Sequence, residues 1–181
     1  MPTVVYIATS LDGYIAEADG SLDWLFAVPN PEGSDYGFAE FMADVDALVM
    51  GRRTFETVVG FGEWIYDKPV FVLSETMGSV PAGLEGKAEI VRGEPQRVID
   101  FLQGRGLTRL YVDGGRVVQS FLREDLIDEL IITRIPVLLG AGIPLFGELE
   151  NALWFSHQGT EILNDELTRS RYVRNREAEP A

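Results

Sequence analysis

The stretch that most constrains this chain runs from Leu107 to Leu122, Leu-Thr-Arg-Leu-Tyr-Val-Asp-Gly-Gly-Arg-Val-Val-Gln-Ser-Phe-Leu. A short β-type run, Arg109 to Val112, meets the pair Gly114-Gly115. Behind it Val117, Val118, Phe121 and Leu122 recur at the spacing of one helix face. The segment therefore reads strand, tight turn, helix. Two glycines at such a junction permit positive φ and a close approach of the backbone to a neighbour. The first N–H groups of the helix, without intrahelical partners, favour an anion there. A βα loop that simply needs glycine to turn is the competing reading.

The same grammar recurs along the chain. Thr3 to Ala8 is a continuous β-branched apolar run, as in a strand buried on both faces. A long loop follows, through Asp12-Gly13 and Asp19-Gly20 to Trp24, of the length that often serves as a functional lid. Ser34 or Asp35 is placed to cap a helix whose inner face is Phe38, Phe41, Met42 and Val45. Ala47 to Met50 is a second strand, entering Gly51-Arg52-Arg53-Thr54 and a short helix. Pro69 to Leu73 and Ala88 to Val91 are further strands, ending at Ser74 and Arg92. Pro95 opens a helix that Gly104 is expected to stop. Leu130 to Ile135 is a strand broken by Pro136, and a glycine-rich loop, Gly140 to Phe146, follows. Leu153 to Ser156 and Thr168 to Val173 are expected to close the sheet in antiparallel fashion. Strands alternating with helices imply an α/β fold with a mainly parallel sheet and helices on both faces. The expected organisation is a single domain over residues 1–174 with a frayed polar tail over 175–181.

Composition narrows the chemistry. No cysteine is present among 181 residues, which removes disulfides, thiolate metal sites and cysteine nucleophiles, and the single histidine, His157, rules out a multi-histidine metal centre. A net charge of −14 argues against nucleic acid or an anionic membrane as partner. No signal peptide or membrane-spanning run is visible, so the expected location is the cytoplasm. The basic residues are nearly all arginine, which grips phosphate bidentately, so a local anion site remains compatible with the acidic whole. In parallel sheets ligands lie beyond the carboxyl ends of the strands. Thr9 to Ala16, the Gly51 turn, Ser74, Arg92 and Gly114-Gly115 all fall there, as an extended phosphorylated ligand such as a dinucleotide requires. The first strand is not followed by the usual Rossmann glycine fingerprint.

Together these segments resemble the dihydrofolate reductase superfamily, nearest the branch with the reductase domain of bacterial riboflavin biosynthesis. Val49-Met50-Gly51-Arg52-Arg53-Thr54-Phe55-Glu56 resembles the motif after that superfamily's second strand. Val112-Asp113-Gly114-Gly115-Arg116-Val117 resembles its double-glycine turn, and Ser10-Leu11-Asp12-Gly13-Tyr14-Ile15-Ala16 resembles the opening of the riboflavin-type branch. The resemblance implies a dihydrofolate reductase-like three-layer fold, NADPH as cofactor and a small heterocyclic substrate. It places Gly51, Arg52, Arg53 and Thr54 at the pyrophosphate and adenosine phosphates, and Ser74 and Arg92 beside the 2′-phosphate. Gly114, Gly115, Arg116 and Val117 would pass under the pyrophosphate, and Ala8 and Ile15 would contact the nicotinamide. Riboflavin-type reductase domains are commonly dimeric, so a homodimer is expected.

For the active carboxylate the resemblance offers Asp35, partnered by Thr133, with Asp12 as the riboflavin-branch alternative. Each has a structural reading beside it, Asp35 as a helix cap and Asp12 as part of a turn. If catalytic, Asp35 is expected in an apolar pocket walled by Ile15, Trp24 and Phe38, with a raised pKa; Trp24 and Phe38 would contact the substrate. One segment departs from the riboflavin pattern. Gly60-Phe61-Gly62-Glu63-Trp64-Ile65 is aromatic where that branch carries an acidic loop that helps bind its ribose phosphate substrate. The expected function is an NADPH-dependent reductase of a pteridine- or pyrimidine-like substrate, of riboflavin-biosynthesis or dihydrofolate reductase type. Two alternatives stand beside it: a flavin- or acyl-group-binding α/β protein, and a non-catalytic nucleotide-binding module that kept the fold.

Overall fold

The computed structural model describes residues 1–178. Eight strands form one sheet in the order β5-β4-β3-β6-β1-β7-β10-β9. They are β1 (Thr3–Thr9), β3 (Ala47–Gly51), β4 (Val70–Leu73), β5 (Ala88–Val91), β6 (Leu110–Asp113), β7 (Glu129–Arg134), β9 (Phe155–Leu163) and β10 (Leu167–Arg174). The first six of these in sequence pair in parallel, and β10 pairs antiparallel with both β7 and β9. This is the expected parallel sheet with an antiparallel edge.

Alternation along the central strands separates two cores. Ala47 and Val49 of β3 face one side, with α4 (Pro95–Gly104) and α5 (Gly115–Arg123) supplying Val98, Leu102, Val118 and Phe121. Leu48 and Met50 face the other, against Phe41 and Met42 of α2 (Phe38–Ala43) and Phe55 and Val58 of α3 (Arg52–Gly60). Burial on both faces is why these strands read as unbroken apolar runs. A third, smaller cluster joins Trp24 of α1 (Asp23–Phe26) to Ile135 and Leu167.

Helix α4 ends on Gly104 as expected, and the left-handed conformation after it is taken by Gly106, with φ +83°, whose N–H donates to the Gln103 carbonyl at 3.0 Å. Other segments differ from expectation. The loops after β1 and around Gly140 pair with each other as β2 (Tyr14–Ala16) and β8 (Ile143–Pro144). Gly142 makes this possible, since a Cβ there would stand 2.3 Å from the Ala16 carbonyl oxygen. β9 is far longer than Leu153 to Ser156, because most of its residues are exposed on a sheet edge and carry no apolar pattern. At the start of the expected tail, the Asn175 N–H donates to the Trp154 carbonyl, and Arg176 pairs with Asp128 at 2.8 Å. The last three residues of the expected tail, 179–181, lie outside the described ones. Among the described residues no helix is long and apolar enough to cross a membrane.

Candidate active site

Two strand–helix junctions lie side by side, because β3 and β6 are neighbours in register, Met50 opposite Asp113. The glycines at these junctions interlock the three motifs. Gly114 has φ +88°, and a Cβ on it would fall 2.2 Å from the Thr54 hydroxyl oxygen. A Cβ on Gly115 would meet Ile15 Cδ1 at 3.0 Å and the Pro144 carbonyl oxygen at 3.1 Å, and one on Gly51 would meet Val117 Cγ2 at 3.2 Å. The close neighbour that the double glycine requires is thus first of all the chain itself. Both α3 and α5 begin without a side-chain cap. In α5 the first helical bond runs from the Val118 N–H to the Gly114 carbonyl at 2.9 Å, leaving the N–H groups of Gly115, Arg116 and Val117 outside the helical ladder. Two helix N-termini, each with partial positive charge, therefore lie at the carboxyl ends of β3 and β6, beside the exposed side chains of Arg52, Arg53 and Arg116. Val117 offers only its backbone, since its side chain is buried.

Ser74 and Arg92 are brought together one and two strands away. The Ser74 hydroxyl accepts the Met77 N–H at 3.1 Å, while Arg92 Nη2 donates to the Met77 carbonyl at 2.9 Å. Arg52 is partly engaged, its Nε 2.6 Å from Glu56 in an exposed i,i+4 pair. On the other flank, Ala8 lies opposite Thr133 in the β1–β7 register. Ile15, Trp24 and Phe38 pack into three separate apolar clusters, to which β1 contributes Ile7, Ala8 and Tyr6 respectively.

Neither expected carboxylate sits in an apolar pocket. Asp35 precedes α2 and is exposed; its oxygens accept the Gly37 and Ala39 N–H groups, each at 2.9 Å. Those bonds hold its pKa below the ordinary value, the reverse of the expected rise, and among the described residues no hydrogen bond joins it to Thr133. It is a helix cap. Asp12 is also exposed and accepts from the Ser10 hydroxyl at 2.6 Å and the Gly140 N–H at 2.7 Å, a set that again lowers its pKa. It staples the turn after β1 to the loop before β8, so the expected lid is fastened at its base.

A different carboxylate has the properties sought. Asp113 ends β6 directly before the double glycine, and burial pushes its carboxyl up to about 6, against the Gly114 N–H, 2.8 Å away, and the Tyr111 hydroxyl, which favour the charged form. Its neighbours Tyr111 and Tyr66 are both buried and raised by desolvation, with the Asp113 charge adding to the rise. The residue as a whole is half-buried, and the rise reflects burial of its carboxyl against Tyr66 and Tyr111. The sequence did carry a signal for it: an acid at the last position of an otherwise apolar strand, immediately before Gly-Gly.

Comparison with known proteins places this geometry. Residues 66–168 match the RibD C-terminal domain. The uncharacterized protein YwjB of Bacillus subtilis (strain 168) is 40% identical over 174 residues, covering 95% of this chain and 97% of that protein. A crystal structure from Shewanella sp. PV-4, of a protein provisionally assigned to riboflavin biosynthesis, superposes with a TM-score of 0.94 at 53% identity, over 97% of this chain and 100% of that one. More distant structures share the fold. The deaminase/5-amino-6-(5-phosphoribosylamino)uracil reductase of Thermotoga maritima has a TM-score of 0.73 at 15% identity, over 96% of this chain and 56% of its own. Enterococcus faecalis dihydrofolate reductase complexed with NADP(H) has a TM-score of 0.66 at 14% identity, over 96% of each chain. The fold is dihydrofolate reductase-like.

Proposed function

The chain belongs to the RibD C-terminal domain family, and we propose that it is an NADPH-dependent reductase of a small pteridine- or pyrimidine-like heterocycle. The observation that carries this reading is the paired junction of β3–α3 and β6–α5, with two uncapped helix N-termini, a glycine pair no side chain can replace, and a raised carboxyl beside them. The residues fit the cofactor: amide N–H groups of Gly115, Arg116 and Val117 and the guanidinium groups of Arg52 and Arg53 hold a pyrophosphate, and Ser74 with Arg92 receives the 2′-phosphate. When bound, the nicotinamide supplies a hydride. Ala8 and Ile15 flank its ring. Asp113 manages the proton that must accompany the hydride, since a carboxyl raised to about 6 is partly protonated at neutrality.

Thermal melting with NADPH, NADH, FMN and folates tests the reading, because a ligand that binds only the folded state raises the melting temperature. NADPH is expected to give the largest rise. A melting curve unmoved by saturating NADPH refutes the proposal.

A further inference from the structure

The junction from β5 into α4 is built unlike the two that open α3 and α5. Those helices begin without a side-chain cap, whereas here the chain's own carboxylates reach the backbone amides. The Gly93 N–H donates to Glu75 Oε1 at 2.9 Å and the Gln96 N–H to Glu124 Oε2 at 3.3 Å. The helical ladder then begins with the Val98 N–H on the Glu94 carbonyl. Glu75 follows Ser74 at the end of β4, and Gly93 follows Arg92 at the end of β5; the two strands pair in register, Leu73 opposite Val91. The Glu75 carboxylate therefore bridges the ends of β4 and β5, between the two residues assigned above to the 2′-phosphate.

Ser74 and Arg92 keep donors for that phosphate. The Ser74 hydroxyl oxygen accepts the Met77 N–H and still has its own proton to give, and Arg92 uses only Nη2, on the Met77 carbonyl. Met77 shares with Arg52 and Glu56 the wall of a cavity of about 390 Å³ between α3 and the loop after β4, so Arg52 belongs to the same corner. Arg97, in the first turn of α4, stands close enough for its Cδ to lie 3.9 Å from a Cβ built on Gly93. Four carboxylates face these cations. Glu56 is paired with Arg52, Glu124 is held on Gln96, and Glu94 offers the helix its backbone carbonyl. Glu75 is exposed, bonded to one amide, and has no ion pair with Arg92 or Arg97 among the described residues. Its charge is not neutralised by a partner, so it opposes a phosphate brought between the two strand ends. It also holds the amide that such a phosphate would otherwise accept from.

We propose that Glu75 sets how far this site tells NADPH from NADH, its carboxylate competing with the 2′-phosphate for the Gly93 N–H. The proposal rests on the reductase reading above. Arg92 and Ser74 draw the phosphate in, and Glu75 holds the preference back. NADH lacks only that phosphate and leaves Glu75 where it is, so charge effects on the shared pyrophosphate cancel in the ratio of the two affinities. The test is titration calorimetry of the parent, Glu75→Gln and Glu75→Ala with NADPH and with NADH. Glutamine keeps an oxygen for the Gly93 N–H and removes the charge; alanine also frees the amide. Removing one like charge beside a phosphate at the protein surface should tighten NADPH about five- to thirtyfold in each variant, with NADH changed less than about twofold. A parent that binds neither cofactor removes the reductase reading and this proposal with it. A parent that binds NADPH, with an NADPH-to-NADH affinity ratio that neither variant raises, overturns the role of Glu75 alone.

Discussion

Replacing Asp113 by asparagine separates burial from chemistry at one atom. The carboxyl has moved from its ordinary 3.8 to about 6 on folding. At about 1.36 kcal/mol per pK unit this corresponds to about 3 kcal/mol. The native state binds more protons than the unfolded state between those two values, so stability falls as pH rises through that window, and the loss is complete above about pH 6. Asparagine is neutral throughout and escapes the loss. Its oxygen can still accept the Gly114 N–H, and the Tyr111 hydroxyl is placed to accept from its amide. Any cost of that rearrangement does not depend on pH. Urea unfolding of both proteins from pH 4 to pH 8 should therefore show the variant gaining on the parent by up to about 3 kcal/mol. Other carboxylates titrate in the same range, but they are common to both proteins and cancel in the difference. Turnover, once a substrate is found, should fall on the order of 10² to 10⁴, while the melting shift with NADPH is kept. Two stability profiles that stay parallel across this range would refute a buried, raised Asp113, and full turnover in the variant would refute its proton role.

Three further outcomes are expected. NADPH should bind more tightly than NADH, and Arg92→Ala should remove about 1.5–3 kcal/mol of that preference, read by titration calorimetry; equal affinities in the parent would refute the 2′-phosphate site. Gly114→Ala should cost about 1–3 kcal/mol in denaturant unfolding, from its positive φ and its clash with Thr54, and Thr54→Ala should restore the part due to the clash; a neutral single variant would contradict the interlocked turn. The open edge of β9, with Ile162 69% exposed, should pair across a two-fold axis to give twice the 20.1 kDa chain mass by light scattering, and Ile162→Lys should weaken that dimer; a monomer mass at micromolar concentration counts against it.

The sequence determined the frame. Central strands buried on both faces write themselves as unbroken apolar runs, and helices such as α5 write a one-sided stripe, so β3, β5, β6 and their helices were legible within a residue or two. Glycine-bearing turns at their ends marked the two uncapped helix N-termini for the same local reason. Edges left no such trace: most of β9 is exposed, and the β2–β8 pair depends on Gly142 meeting Ala16, a contact between segments far apart in the chain. The choice among carboxylates was of this second kind. Asp12, Asp35 and Asp113 are alike as letters, and what separates them is the company each keeps after folding. Backbone N–H groups claim Asp35, a hydroxyl and the loop before β8 claim Asp12, and only Asp113 is walled by buried Tyr66 and Tyr111. Desolvation is a property of the surroundings in three dimensions, so the sequence could nominate acids, and only the tertiary structure could decide which one is held near neutrality.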